Sequence, residues 1–266
     1  MSTPAYLAAL LGVGVLAGIV STVAALASVV SYPALLALGL PPVSANVTNT
    51  VALMFTAAGA AAGSRPELAG QWHRIRRLGL LTAVGGGTGA ALLLLTPSRG
   101  FEYVAPMLIA AGSLVILRGP VPADTAAGSG SGLDDAAAGA RPLPDAREGW
   151  LSRAGVFAVA VYIGYFGAAG GVLMLALLTR LCAQSLARTN ALKNVISGLA
   201  NAVAGLGFAI FGPVRWTAAL PLAAGFLIGG WIGPSLVRHL PARALRLFIG
   251  LCGLAVAIRL AVSAYL

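Results

Sequence analysis

The sequence predicts an all-α protein that crosses a membrane about eight times, and three observations predict it. Of its residues 59% are hydrophobic and only 9% charged. Apolar runs close to the ~20 residues needed to cross a ~30 Å hydrocarbon layer recur along the whole chain. One polar stretch, rich in Pro, Gly and Asp, interrupts them midway. In lipid every backbone amide must be satisfied within the protein, so continuous apolar runs are helices. Residues 90–95 (AALLLL) lack the alternation of a membrane β-barrel strand.

The spans expected are 6–30, 46–62, 78–95, 101–117, 154–178, 190–211, 216–236 and 244–265. The first follows MSTPAYLAAL, which has no basic n-region, and reads as a retained helix rather than a cleaved signal. The third follows Arg74, Arg76 and Arg77, read as an anchor at the membrane surface. Between the fourth and fifth spans lie five of the seven acidic residues, with Pro120, Pro122, Pro142, Pro144 and a Gly/Ser run. Such a composition cannot bury enough apolar surface to fold and reads as a flexible solvent loop. The chain thus divides into a first membrane repeat (1–118), a linker (119–150) and a second membrane repeat (151–266).

The halves repeat at an offset of 144 residues. Positions 43–52 read VSANVTNTVA and positions 187–196 read ARTNALKNVI, and residues 20–27 fall on 164–171. Intramembrane polar groups cost free energy unless partnered, so a matched pair of polar patches suggests half-sites at the junction of two repeats. The basic loop lies between the second and third spans in one half but between the seventh and eighth in the other. The halves can therefore be inverted, with a broken or re-entrant segment near Pro33 or Pro41-Pro42 changing the crossing count.

A net charge of +10 would suggest nucleic acid for a soluble protein. Here the arginines sit in loops between apolar spans, where they meet anionic lipid headgroups, and nucleic acid is excluded as a partner. Cys182 and Cys252 offer neither a disulfide framework nor metal-ligand spacing. No HExxH, GxSxG or P-loop is present, so the chain is read as neither an enzyme nor a cofactor or metal protein.

In the sixth span Asn190, Asn194, Ser197 and Asn201 recur at i, i+4, i+7 and i+11, one stripe of a helix, with Lys193 beside it. In the second span Asn46 and Asn49 share a face next to Thr48 and Thr50. Amide and hydroxyl donors on facing helices can replace the hydration shell of a small oxyanion, and the only lysine of the chain can offset its charge. The alternative is that these residues stitch helices together and Lys193 snorkels to the interface. Gly167, Gly170 and Gly171, together with Pro33, mark backbone approach or a helix break. No Asp or Glu lies deep inside a span, so a coupled proton would need another carrier.

The pattern resembles the sulfite exporter TauE/SafE family of bacterial membrane permeases. GYFGAAGGVLMLALL (164–178) followed by ARTNALKNVISGLAN (187–201) is similar to that family's glycine-rich helix and the Ala/Asn/Lys segment after it. SYPALLALGLPPVSANVTNTVAL (31–53) is similar to its Pro-x-Leu, Leu-Gly and Ala-x-x-Thr run. The first half departs from the pattern where Leu26, Ala27 and Ser28 replace a glycine cluster. The resemblance implies a multi-pass bacterial inner-membrane transporter of sulfite, a sulfonate or another small organic anion. It implies Asn46, Thr48 and Asn49 as site residues in one half, and Asn190, Lys193 and Asn194 in the other. Partners would be the small anion, the lipid bilayer and a coupling proton or ion, with self-association allowed. The rival reading is a non-transporting membrane scaffold or assembly factor.

Overall fold

A computed structural model describes residues 4–24, 27–118, 149–182 and 184–236, with 251, 254–255, 258 and 261–262. Residues 119–148 of the expected linker, and most of the expected span at 244–265, lie outside the described residues. Among these there are ten helices of four or more residues and no strand: α1 (Pro4–Ala24), α2 (Ala27–Ala37), α3 (Pro42–Gly63), α4 (Arg65–Leu68), α5 (Trp72–Leu95), α6 (Ser98–Arg118), α7 (Trp150–Tyr165), α8 (Gly170–Leu181), α9 (Leu186–Phe211) and α10 (Trp216–Leu236). The protein is all-α, as its composition requires. By length and composition α1, α5, α9 and α10 can each cross a membrane, while α2, α7 and α8 are shorter apolar helices.

Two expected spans are each two helices. Residues 6–30 divide between α1 and α2, and residues 154–178 divide between α7 and α8. At the second division Gly167 adopts φ +72°, and its N–H bonds back to the Tyr162 carbonyl at 3.0 Å. A left-handed residue stops a helix, and glycine does so without a Cβ clash. The Tyr162 hydroxyl donates to the Ala168 carbonyl at 2.6 Å and pins the turn. Gly170 faces Ile163 and Gly155 faces Leu177, so α8 folds back antiparallel along α7.

The end of α2 is a Schellman stop. Leu40 N–H bonds to the Leu35 carbonyl, Gly39 N–H bonds to that of Leu36, and Gly39 has φ +87°. Pro41 and Pro42 then block any continuation, and Pro42 opens α3 at the position where its missing N–H costs nothing. Pro33 does not mark this stop. It lies within α2, where it only withdraws an N–H from the helix ladder.

The main helix contacts join residues before 119 to residues after 149: α1 with α10, α3 with α10, α5 with α7, α5 with α9, and α3 with α9. Gly14 and Gly18 of α1 meet Gly225 and Gly229 of α10, a parallel pairing. Gly85 and Gly89 of α5 meet the α7 backbone from Phe157 to Tyr165 in the same parallel sense. In contrast, α3 and α9 are antiparallel: Thr50 lies near Gly205 and Ala57 near Gly198. Without a hydrophobic force between helices in lipid, close backbone approach at small residues supplies the packing energy. The glycines of α5 at 85, 86 and 89 fall on those of α10 at 229, 230 and 233 at the 144-residue offset. Their partners correspond too, since Gly86 abuts Ala200 and Gly230 abuts Thr56.

A Cβ at Gly86 would overlap the Ala200 backbone, whereas one at Gly12 would meet nothing. Gly86→Ala is expected to cost about 1–3 kcal/mol as α5 and α9 are forced apart. Thermal unfolding in detergent should show a lowered Tm for Gly86→Ala and an unchanged or higher one for Gly12→Ala.

Candidate functional site

The last carbonyls of a helix have no partner within it, and in lipid no water supplies one. The Asn46 side chain of α3 donates to the Tyr165 carbonyl at the end of α7, at 3.0 Å. The Asn190 side chain of α9 donates to the Thr22 carbonyl in the last turn of α1, at 3.4 Å. These two asparagines are related by the 144-residue offset, and each serves a helix from the other end of the chain.

Two other polar residues of α3 are also bound within the protein. Thr48 accepts the Arg215 N–H just before α10, at 3.0 Å. Asn49 accepts from the Ser31 hydroxyl at 2.6 Å and donates to that of Ser28 at 3.2 Å, which fastens α2 to α3.

A cavity of about 70 Å³ lies where these elements converge. Ser28 of α2, Thr50 and Thr56 of α3, and Lys193, Asn194, Ser197 and Asn201 of α9 line it, with Gly167 and Gly171 at the α7–α8 turn. That volume holds about two waters or a small oxyanion. Lys193 is only 2% exposed, and among the described residues no acidic side chain lines the cavity. The Thr56 and Ser197 hydroxyl oxygens are buried without a hydrogen-bond partner. An unsatisfied buried polar group costs about 1–3 kcal/mol, so these hydroxyls suit a ligand or water in the cavity. Ammonium, hydroxyl and amide groups together make a donor set for an anion. No group of His, Cys, Asp and Glu able to hold a metal occurs among the described residues.

Of the residues singled out in the sequence, Thr50, Lys193, Asn194, Ser197, Asn201, Gly167 and Gly171 meet at this cavity. Asn46, Thr48, Asn49 and Asn190 are bonded elsewhere, Gly170 packs on Ile163, and Pro33 lies inside α2. Thr56 was not singled out. It stands alone in an Ala-rich run, and its offset partner is Ala200, so neither a stripe nor the repeat points to it.

Lys193 and Asn49 occupy offset-related positions with different fates. Ser28 and Ser31 hold Asn49, but the matching positions in the second half are Val172 and Leu175. These offer no hydroxyl to Lys193.

The family model described as sulfite exporter TauE/SafE matches residues 10–260, nearly the whole chain. The chain belongs to the sulfite exporter TauE/SafE family. No curated protein and no solved structure matches it at a significant level. As a TauE/SafE protein with these apolar helices it is a multi-pass membrane transporter. Family members are transporters rather than enzymes, and a transporter of this type takes a small anionic substrate.

The amides that serve helix ends should matter for folding more than those facing the cavity. Asn46→Ala is expected to lower stability by about 1 kcal/mol or more, because the Tyr165 carbonyl loses its donor. Asn201→Ala should leave the Tm in detergent nearly unchanged.

Proposed function

We propose that this protein exports sulfite or a short sulfonate across a bacterial inner membrane, and that the cavity around Lys193 is its central binding point. The observation that carries this reading is a buried lysine lining a polar cavity with no carboxylate among its described walls. A charge placed mid-membrane without a counter-ion costs about 2.5–3.5 kcal/mol by insertion scales, a cost that an anionic substrate offsets. Asn194 and Asn201 would orient the oxyanion, and the Thr56 and Ser197 hydroxyls would replace part of its hydration shell. The left-handed turn at Gly167 places backbone rather than a side chain at the cavity wall.

The antiparallel pairing of α3 with α9 supports two inverted repeats, consistent with the two divided spans, α1 with α2 and α7 with α8. Access would alternate as one set of helices rocks against the other about the cavity. With no carboxylate on the described walls, a coupled proton would travel on the substrate or on Lys193.

Two variants test the site. Lys193→Met should reduce sulfite flux in proteoliposomes by about tenfold or more, the loss expected for one charge-assisted hydrogen bond of 1.5–3 kcal/mol. Ser197→Ala should raise the half-saturating sulfite concentration several-fold with a smaller effect on maximal rate. Unchanged flux in a folded Lys193→Met protein would remove the cavity from the transport path and leave the family membership intact.

A further inference from the structure

A second concave surface lies away from the central cavity, between the beginnings of α5 and α7. It is an open groove of about 370 Å³, lined by Arg77, Leu80, Leu81 and Val84 of α5 and Arg153 of α7. We infer that this groove is a binding site for one anionic phospholipid, with its phosphate between the two guanidinium groups and an acyl chain along Leu80, Leu81 and Val84.

Geometry and charge together place the ligand. Because α5 and α7 run parallel, their N-terminal ends lie at the same face of the membrane. Exposed Trp72 and Trp150 stand at those ends, where indole rings mark the level of the headgroups. The positive ends of both helix dipoles are there as well, and they favour a phosphate over a positively charged group.

Below the arginines the lining turns wholly apolar, and Leu80 and Val84 are 71% and 62% exposed. Charge above and hydrocarbon below match a phospholipid and fit a free inorganic anion poorly. Arginine also gripes phosphate through paired, parallel hydrogen bonds, which gives the headgroup an orientation as well as an attraction. The inference does not depend on the transport reading, since the groove shares no residue with the cavity.

The full-length protein in detergent, titrated with phosphatidylglycerol or phosphatidylcholine and read by native mass spectrometry, tests it. The wild type should retain one phosphatidylglycerol and discriminate against phosphatidylcholine. Arginine near a membrane surface contributes roughly fivefold in affinity each, so Arg77→Gln/Arg153→Gln should weaken phosphatidylglycerol retention about 25-fold. Arg65→Gln/Arg99→Gln, which removes the same charge from other surface positions, should retain it. Equal retention of the two lipids by the wild type would overturn the site even if the double variant failed to fold. So would undiminished retention by Arg77→Gln/Arg153→Gln. Thermal stabilisation by inorganic phosphate alone, equal to that by phosphatidylglycerol, would also overturn it, because the acyl groove would then have no role.

Discussion

A helix that ends inside a protein leaves carbonyl groups with no partner of its own, and the centre of this protein is organised around two such ends. Asn46 serves the end of α7, and Asn190 serves the last turn of α1. Polar contacts between membrane helices contribute only about 0.6 kcal/mol on average, but an unpaired carbonyl in hydrocarbon costs several. The weight of each amide therefore lies in the penalty it removes. Since donor and acceptor are more than 100 residues apart in both cases, neither end of the chain completes its own broken helices.

That arrangement explains why the cavity carries its lysine on one side and only neutral polar groups on the other. In the first half Ser28 and Ser31 consume the Asn49 amide, so the residue becomes part of the scaffold. In the second half the corresponding hydroxyls are absent and the residue is a lysine, left with cavity rather than protein before it. The helix-end amides, Asn46 and Asn190, thus keep register across the 144-residue offset, while of the paired positions 49 and 193 only one is a lysine. Thr56 and Ser197 add unsatisfied hydroxyls from the two antiparallel helices α3 and α9.

The helical, membrane-crossing character was legible because composition alone forces it: so apolar a chain has no other way to satisfy its backbone. The 144-residue offset was legible in the Asn/Thr patches. It also contained, unread, the glycines at 85, 86 and 89 that match those at 229, 230 and 233. The α7–α8 hairpin was harder. Residues 154–178 form one unbroken apolar run of bilayer length, and hydropathy does not register that Gly167 reverses the chain. The partners of the asparagines were not legible at all. A side chain that donates to a carbonyl 119 residues away looks, in sequence, the same as one that faces a ligand. That is why the stripe on α9 mixes a helix-end donor, Asn190, with the cavity residues Asn194, Ser197 and Asn201.

The packing also defines which bodies can move if access alternates. The glycine seams tie α1 to α10 and α5 to α7 over several turns, with carbonyls and Cα atoms in contact. Close-packed seams of this kind resist shear because any shift drives backbone into backbone. Adding the contacts of α3 with α10 and of α9 with α5 yields two sets of three helices, each drawn from both ends of the chain. The seam between them is the antiparallel α3–α9 crossing, spanned also by the two asparagine bonds. These are neutral, single hydrogen bonds, which a rocking motion would exchange without disturbing either glycine seam. The units of motion would then be the mixed sets {α1, α3, α10} and {α5, α7, α9}, with Lys193 on one side of the moving boundary and Thr56 on the other.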